Sequence, residues 1–268
     1  MRKTILAFAL GCLLTGCGAQ KTNDNDMVVV AHRGGAFLGI ENSLSCIEKG
    51  IATGADMIEI DVHQSLDGAL VVCHDPTIDR TTTGKGAIRE LTAEQLRSYP
   101  LKHPGTGEVA QDERLPLLEE VLDAIRGRCD LLLEVKRGGD DWYPGIEKAI
   151  VDAIEAAGVK DQVVVQSFND SVLRGVHSID PSIPLEKLIV AQLPFGLCFD
   201  TKIHAFDKDV FQYVQSVNIY HPCAGRGFIV RMHAKGKKVK VWTVNKLSDL
   251  PAGVDGVITN DPALFINR

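Results

Sequence analysis

Short apolar runs alternate with amphipathic segments along almost the whole chain, and this alternation restricts the fold more than any other feature. Strands that alternate with helices predict a parallel sheet. The apolar runs are nearly continuous, which fits strands that are buried on both faces. Eight such strands are predicted at residues 27–31, 57–62, 131–135, 162–166, 185–190, 217–220, 239–244 and 254–259, with a short extra strand at 70–73.

Helical spacing and capping residues mark several of the segments between these strands. Thr92 and Gln95 form a capping box that opens a short helix. Pro116 suits the first turn of a helix at 115–125. The stretch 194–206 is rich in Pro and Gly and predicts an irregular fifth helical segment. The remaining helices are predicted at residues 43–53, 144–157 and 169–176.

The order of these elements predicts an α/β protein with a single-domain (β/α)8 TIM barrel over residues 27–268. That segment has the length of a typical barrel, which is about 250 residues. The main alternative is a doubly wound open sheet. No GxGxxG or GxxxxGK[ST] motif follows the first strand, and this disfavours a nucleotide-binding sheet.

The beginning of the chain has the pattern of an exported protein. Arg2 and Lys3 precede an apolar run at 5–14 that is too short to span a bilayer. The next residues, 14–17 (LTGC), resemble a bacterial lipobox, which implies a signal peptide at 1–16 and lipidation of Cys17. Residues 17–26 then predict a flexible tether. These features predict a membrane-anchored, extracytoplasmic lipoprotein, periplasmic or at the cell surface; a plain secretory signal or a buried terminal helix is the alternative.

Charge and cysteine content exclude some partners. The net charge of −6 argues against non-specific binding of nucleic acid, which requires a basic face. An anionic substrate stays compatible with this charge, because a metal ion or a few placed cations set the local field. Five cysteines follow Cys17 without CxxC or Cys/His ligand spacing, so no zinc site is expected. Cys73 and Cys129 are predicted to be core residues.

Charged residues interrupt the apolar strands at or near their carboxyl ends. In a barrel these ends form the face on which active sites are built. Three carboxylates that converge there without partners would be very costly, which predicts a bound cation. A purely structural ion network is the alternative. The residues concerned are His32, Arg33, Glu59, Asp61, His74, Glu134 and Lys136.

Several of these segments resemble the glycerophosphodiester phosphodiesterase family. The early motifs are AHRGG (31–35), EN (41–42), GADMIEIDV (54–62), DGALVVCHDPTIDRTTTGKG (67–86) and LLLEVK (131–136). The late motifs are VQSF (165–168), VWTVN (241–245) and GVDGVITNDP (253–262). One departure is Ile40, where the family usually has proline. The resemblance extends over nearly the whole chain after the tether.

This resemblance implies a role for each matching residue. The two histidines would act as acid and base, and a divalent cation, Mg²⁺ or Ca²⁺, would be bound by carboxylates. A free glycerol hydroxyl would attack the phosphorus, and the cyclic phosphate would be hydrolysed to glycerol 3-phosphate. The implied assignments are His32 and His74 for catalysis, Glu59, Asp61 and Glu134 for the metal, Arg33 and Lys136 for the phosphate, and Trp242 for the substrate pocket.

Other interpretations stay open at this stage. Gln166 and Phe168 lie at the rim of the fourth strand and are expected to line the pocket. Arg80 lies in the family motif, but a turn or a helix cap would explain it equally well. A phospholipase D or sphingomyelinase D type of enzyme acting on intact lipids is one alternative function, and a non-catalytic surface lipoprotein is another. The sequence leaves the oligomeric state open.

Overall fold

A computed structural model describes residues 27–193, 197–200, 203–205 and 207–266. The signal peptide, Cys17 and the tether predicted at 17–26 lie outside this range. In chain order the strands are β1 (Val28–Ala31), β2 (Met57–Gln64), β3 (Leu70–Val72), β4 (Leu101–Lys102), β5 (Val109–Ala110), β6 (Asp130–Val135), β7 (Val163–Ser167), β8 (Leu185–Ile189), β9 (Ala191–Gln192), β10 (Leu197–Phe199), β11 (Ile203–Ala205), β12 (Ser216–Tyr220), β13 (Lys238–Trp242) and β14 (Gly256–Thr259).

Eight of these strands form a closed parallel barrel. Their order is β1-β14-β13-β12-β8-β7-β6-β2, and β2 pairs with β1 to close the ring. The closing register places Val30 opposite Met57 and Ala31 opposite Ile58. The short strand β3 extends β2 as an antiparallel neighbour. The predicted barrel and the extra strand at 70–73 are therefore confirmed.

Helices cover the outside of the barrel. They are α1 (Leu44–Ala52), α2 (Ala93–Arg97), α3 (Leu118–Ile125), α4 (Ile146–Ala157), α5 (Asp170–Ile179), α6 (Lys208–Tyr213), α7 (Arg226–His233) and α8 (Ala263–Ile266). The capping box of Thr92 and Gln95 is present at the start of α2. Over the described part of the chain, none of the helices is both long enough and apolar enough to cross a bilayer.

The predicted start of the third helix is wrong. The helix begins at Leu118, and Leu117 before it has an extended backbone with ψ of 154°. Leu117 forms an antiparallel bridge with Val71, and the carbonyl of Pro116 accepts a 2.9 Å hydrogen bond from the amide of Val72. Residues 115–117 are therefore held by strand β3, and only the following residues enter the helix.

The segment predicted to be irregular contains an antiparallel sheet. Strands β9, β10 and β11 pair in the order β11-β10-β9, and the six-residue helix α6 follows them. The expected absence of a regular helix holds for the described residues of 194–206. The cysteines at 46, 73, 129 and 198 are buried and that at 223 is exposed, all as free thiols. The expected core positions of Cys73 and Cys129 are confirmed.

The barrel interior has an apolar part and a polar part. Val30, Met57, Leu132 and Ile258 form one buried cluster, separate from the larger cores beneath the helices. The polar part lies on β7, β8, β12 and β13. There the amide of Asn218 donates to Gln166 and to Glu186, both at 2.8 Å, and Lys240 pairs with Glu186. The side chains inside the ring are therefore fixed by packing and by hydrogen bonds.

Candidate active site

Strand alternation places the three predicted metal ligands together. On β2, Ile58, Ile60 and Val62 pack into the core beneath the helices, so Glu59 and Asp61 point to the opposite face. In the register of β2 with β6, Asp61 lies directly opposite Glu134. One carboxylate oxygen from each of Glu59, Asp61 and Glu134 lies within 4.8 Å of the others. These residues are 1%, 0% and 8% exposed.

The electrostatics of this cluster fit a hard divalent cation. Burial and the charges of Asp61 and Glu134 raise the pKa of Glu59 well above its usual range. Burial also raises the pKa of Glu134, whereas the charges of Lys136 and Arg33 outweigh burial and lower the pKa of Asp61. Among the described residues, Glu59 Oε1 and Asp61 Oδ1 have no hydrogen-bond partner. Converging carboxylate oxygens, two of which accept no hydrogen bond, suit Mg²⁺ or Ca²⁺.

A tight turn after β1 brings the first motif to this cluster. Arg33 has a left-handed backbone with φ of 54°, and its amide donates to Glu59 Oε2 at 2.8 Å. Gly34 and Gly35 continue the turn with φ of 84° and 90°. Helix α1 packs closely on it, since a Cβ atom on Gly50 would lie only 2.4 Å from the carbonyl oxygen of Gly34. Glycine at position 50 is therefore required by the turn.

Two cations border the carboxylates. Lys136 Nζ lies 2.9 Å from Glu134 and 3.3 Å from Asp61. Arg33 donates to Glu41 at 2.8 Å, and its Nε lies 3.6 Å from Asp61. This Nε is buried and makes no hydrogen bond to any described residue. Its N–H can therefore donate a hydrogen bond to a phosphate oxygen.

The two histidines have different hydrogen-bond partners. His32 Nδ1 lies 2.6 Å from the amide oxygen of Asn260, and His74 Nδ1 lies 2.7 Å from a carboxylate oxygen of Asp75. Because both partner oxygens only accept, each Nδ1 carries the hydrogen and each Nε2 is left for the cavity. Burial and a neighbouring guanidinium lower the pKa of His32 to about 4.

One cavity joins most of the predicted site residues. It has a volume of about 170 Å³ and lies at the carboxyl ends of the barrel strands. Asp61 lies outside its lining, but its carboxylate adjoins those of Glu59 and Glu134. The predicted residues that line the cavity are His32, Arg33, Glu59, His74, Glu134, Lys136, Gln166, Phe168 and Trp242.

A larger, polar pocket of about 540 Å³ adjoins the cavity on the side of His32. The two share His32, Arg33 and Thr243. Hydrogen-bonding groups dominate the region next to the histidine, and the carboxylate of Glu41 and the amide of Asn260 face the same space. The pocket can therefore hold a small molecule with several hydroxyl groups.

A second pocket of about 240 Å³ adjoins the cavity on the side of His74. Phe168 lines both spaces. Its ring meets that of Trp242 edge to face, with 5.7 Å between the centroids. Trp142 and Val135 supply further apolar surface. This pocket therefore suits a less polar group than the one beside His32.

Sequence reasoning missed an ion-pair network around these residues. Arg80, which the sequence explains equally well as a turn or cap residue, donates to Glu41 at 2.6 and 2.9 Å and to Asp75 at 2.7 and 3.0 Å. Asn42 holds Asp61 through a 2.8 Å hydrogen bond from its amide. Two signals in the sequence point to this network. Glu41 and Asn42 form the EN motif of the family, and Asp75 directly follows His74.

The sequence also did not predict a second cluster of possible metal ligands. Ligand atoms of Cys198, Asp200 and His204 lie within 4.8 Å of one another near β10 and β11, although their spacing matches no zinc motif. The ammonium group of Lys187, which is almost fully buried, lies 2.9 Å from Asp200 and 3.0 Å from Asp170. This lysine supplies the positive charge that the two carboxylates require.

Comparison with known proteins agrees with this geometry. Residues 32–264 match the sequence model of the glycerophosphoryl diester phosphodiesterase family. The chain belongs to this family. It is 33% identical over 247 residues to a glycerophosphodiester phosphodiesterase of Caldanaerobacter subterraneus, with 90% of this chain and 96% of the relative covered. A glycerophosphodiester phosphodiesterase of Bacillus altitudinis is 32% identical over 247 residues, which cover 87% and 94% of the two chains.

Solved structures of family members share the barrel. A phosphodiesterase of Oleispira antarctica, in complex with the product sn-glycerol-3-phosphate, superposes with a TM-score of 0.76 and 25% identity over 88% of this chain and 94% of that chain. A glycerophosphodiester phosphodiesterase of Agrobacterium tumefaciens has a TM-score of 0.69 and 22% identity, with 90% and 99% covered. This family consists of enzymes, and the barrel described above is the family's fold.

Proposed function

We propose that this protein hydrolyses glycerophosphodiesters to glycerol 3-phosphate and an alcohol, with a divalent cation and two histidines. The observation that supports this most directly is the single cavity at the strand ends. It joins His32 and His74 with the cations Arg33 and Lys136, above carboxylates that fit a metal ion. A phosphodiester placed there would meet positive charge and proton-transfer groups at once.

The buried carboxylates would hold one ion, Mg²⁺ or Ca²⁺. Glu59, Asp61 and Glu134 supply oxygen ligands, which both ions prefer. When bound, the ion would add positive charge beside the non-bridging phosphate oxygens. Arg33 Nε and Lys136 Nζ would donate hydrogen bonds to the same oxygens and stabilise the charge that gathers on them.

The different polarity of the two side pockets would determine the orientation of the bound substrate. The polar pocket beside His32 suits glycerol, whose hydroxyls can donate to the carboxylate of Glu41 and the amide oxygen of Asn260. The apolar pocket beside His74, which includes Trp142, suits the alcohol that leaves. This arrangement assigns His32 to the attacking hydroxyl and His74 to the leaving oxygen.

The hydrogen-bond partners of the histidines support the same assignment. His32 donates to a neutral amide and is kept neutral by burial, so its Nε2 can take the proton of the glycerol hydroxyl. The hydroxyl oxygen then bonds to phosphorus as the bond to the alcohol oxygen breaks. His74, whose Nδ1 donates a hydrogen bond to the Asp75 carboxylate, gives its Nε2 proton to that oxygen. Water opens the cyclic phosphate in the reverse sense, with the two proton transfers exchanged.

The test is release of glycerol 3-phosphate from glycerophosphocholine by the full chain purified in detergent. The reaction is run with Mg²⁺, with Ca²⁺ and with a chelator. We expect release that depends on one or both ions and stops with the chelator. Release that the chelator leaves unchanged would contradict the metal assignment, and no release with either ion would contradict the reaction itself.

One observation keeps intact lipids as a second class of substrate. Apolar side chains are exposed at or after the carboxyl ends of the barrel strands: Phe37 is 63% exposed, Ile203 62% and Tyr220 39%. Such a rim could contact acyl chains. A phospholipase of the D type would release a head group from phosphatidylcholine or sphingomyelin vesicles, and these vesicles form the second arm of the assay. A binding protein without activity would release nothing in either arm.

We also propose that the chain is a lipoprotein located outside the cytoplasm. The supporting features are the basic residues Arg2 and Lys3, the short apolar run at 5–14 and the lipobox-like residues before Cys17. Incorporation of labelled palmitate during expression in a bacterial host tests this. We expect label on the protein, and none on the Cys17→Ala variant. Equal labelling of the two would contradict lipidation at this residue.

A further inference from the structure

A continuous series of charged contacts joins the two sides of the cavity. Arg33 donates to Glu41 at 2.8 Å, Glu41 accepts from Arg80, Arg80 donates to Asp75, and Asp75 accepts from His74 at 2.7 Å. The series connects the loop after β1 with the loop after β3. It therefore links the guanidinium next to the phosphate position with the histidine next to the leaving group.

Arg80 is the centre of this series. Its Nη1 and Nη2 donate to the two oxygens of Glu41 at 2.6 and 2.9 Å. Its Nε and Nη2 donate to the two oxygens of Asp75 at 2.7 and 3.0 Å. A planar guanidinium with five donors can engage two carboxylates in this way, whereas an ammonium group cannot.

Arg80 itself does not reach the reacting groups. It lines neither the central cavity nor the pockets on its two sides within the described residues. Its two carboxylate partners, in contrast, each hold a side chain that does line the cavity. Glu41 holds Arg33, and Asp75 holds His74. Any effect of Arg80 on the reaction must therefore pass through these contacts.

We propose that Arg80 is a positioning residue for the reaction. It keeps Asp75 against His74 Nδ1 and Glu41 against Arg33, so that the proton donor and the phosphate-binding cation keep one relative geometry. This inference rests on the proposed function. A displacement of about 1 Å of a reacting group can reduce turnover about 10²-fold, which is the effect expected when the arginine is lost.

The first experiment measures kcat and KM of Arg80→Gln in the full chain with glycerophosphocholine and saturating metal ion. We expect kcat to fall about 10²-fold and KM to change much less. Arg97→Gln is the matched control, since Arg97 forms a comparable bidentate pair with Glu120, at 2.9 Å for both bonds, away from the cavity. The two arginine side chains are similarly exposed, at 36% and 33%. The control is expected to keep the wild-type kcat.

A double-mutant cycle separates positioning from a general structural effect. If Arg80 acts through Asp75, the Arg80→Gln and Asp75→Asn double variant should lose little more activity than the worse single variant. Loss equal to the product of the two single losses would overturn the proposal. Guanidinium ions added to Arg80→Ala should restore part of kcat, and an equal gain in wild type would also count against it.

The outcomes distinguish this inference from the proposed function. A wild-type protein that is inactive with every ion contradicts the proposed function, whatever Arg80 does. An active wild type with Arg80→Gln as active as Arg97→Gln overturns the positioning role. If Arg80→Gln fails to fold, Arg80→Lys replaces it in the comparison with wild type. Lysine keeps the positive charge but cannot form two hydrogen bonds to each of Glu41 and Asp75. Full activity of the lysine variant would refute the geometric argument.

Discussion

The three buried carboxylates predict that removing one of them stabilises the protein when no divalent ion is bound. In Glu59→Gln, a neutral amide of nearly the same size replaces a carboxylate that is 1% exposed. The neighbouring charges of Asp61 and Glu134 no longer meet a third negative charge. At a pH above the raised pKa of Glu59, where its carboxylate is charged, the variant should therefore be more stable than wild type in a chelator, although it has lost a group proposed to bind the ion.

The magnitude follows from the geometry. The carboxylate oxygens lie within 4.8 Å of one another. At an effective dielectric constant of about 20, two unit charges at this separation repel by about 3.5 kcal/mol. Lys136 and Arg33 offset part of the total, so relief of one repulsion is a fair measure of the gain. For a domain of this size, about 3 kcal/mol corresponds to roughly 6–12 °C in Tm.

The same group determines a pH dependence. Burial and like charges raise the pKa of Glu59 above its ordinary value of 4.5. Between 4.5 and the raised pKa, the folded chain binds a proton that the unfolded chain has lost. Stability without the ion therefore falls as the pH rises through this window. The Glu59→Gln variant should lack this part of the decline.

The assay is thermal unfolding of wild type and variant at several pH values, in chelator and in saturating Mg²⁺ or Ca²⁺. The ion should raise the Tm of wild type. The Glu59→Gln variant should have a higher Tm than wild type in chelator, and the ion should raise its Tm much less. Glu186→Gln is the matched control, because Glu186 is equally buried but paired with Lys240. The Glu186→Gln variant should have a lower Tm than wild type in chelator, and the ion should raise its Tm as much as it raises that of wild type. A lower Tm of Glu59→Gln in chelator would refute the reasoning.

Three further predictions concern catalysis, the barrel interior and the small sheet. His74→Ala should reduce kcat about 10²–10⁴-fold with little change in Tm, because the side chain is 32% exposed; unchanged turnover would contradict its role. Lys240→Ala leaves Glu186 buried without its cation and should lower the free energy of unfolding in urea by about 3–5 kcal/mol. This loss should exceed that of the double variant Lys240→Met with Glu186→Leu, in which both charges are removed. Equal losses in the two variants would argue against the ion pair. Although burial lowers it, the hydrogen bond that His204 donates to the Asp200 carboxylate raises the pKa of His204 above 6.5. Stability from this contact is complete below pH 6.5 and is lost as the pH rises through the raised pKa. Amide exchange in β10 and β11, corrected for intrinsic rates, should therefore accelerate in that window in wild type but not in His204→Ala.

The strands were predictable because their burial leaves a direct trace in the sequence. A parallel strand covered on both faces is apolar at nearly every position, as at residues 163–165 (VVV) and 131–133 (LLL). Predicted and observed ends agree within about two residues. The small sheets were missed for the opposite reason. Strands of two or three residues, such as Val109–Ala110, are too short to show a period.

The error at the third helix has a tertiary cause. Pro116 is well suited to the first turn of a helix, and the apolar pattern after it is helical. The pairing of Leu117 with Val71 nevertheless holds this segment extended beside β3. Local preference predicted a helix that begins near residue 115, and a contact with a strand more than forty residues earlier delayed it to Leu118.

The charged residues of the site were predictable, and most of their partners were not. Glu59, Asp61 and Glu134 stand out because a charge in an apolar strand needs a reason. Asn260 lies in a late family motif to which the sequence assigns no role, and its contact with His32 joins positions 228 residues apart. Only the pairing of β1 with β14 in the barrel brings them together. The partners therefore depend on the topology and not on local spacing.

The stability of the ion-free protein and its affinity for the ion have one physical origin. Glu59, Asp61 and Glu134 lie on strands whose opposite faces are packed beneath the helices, so their carboxylates cannot move apart to relieve the repulsion. An ion that removes about 3 kcal/mol of repulsion gains that free energy in binding, which is about a hundredfold in affinity. A flexible loop with the same carboxylates would relax and lose this gain. The rigid barrel thus converts a destabilising cluster into a binding site, and variants that loosen β2 should weaken ion binding even when every ligand is kept.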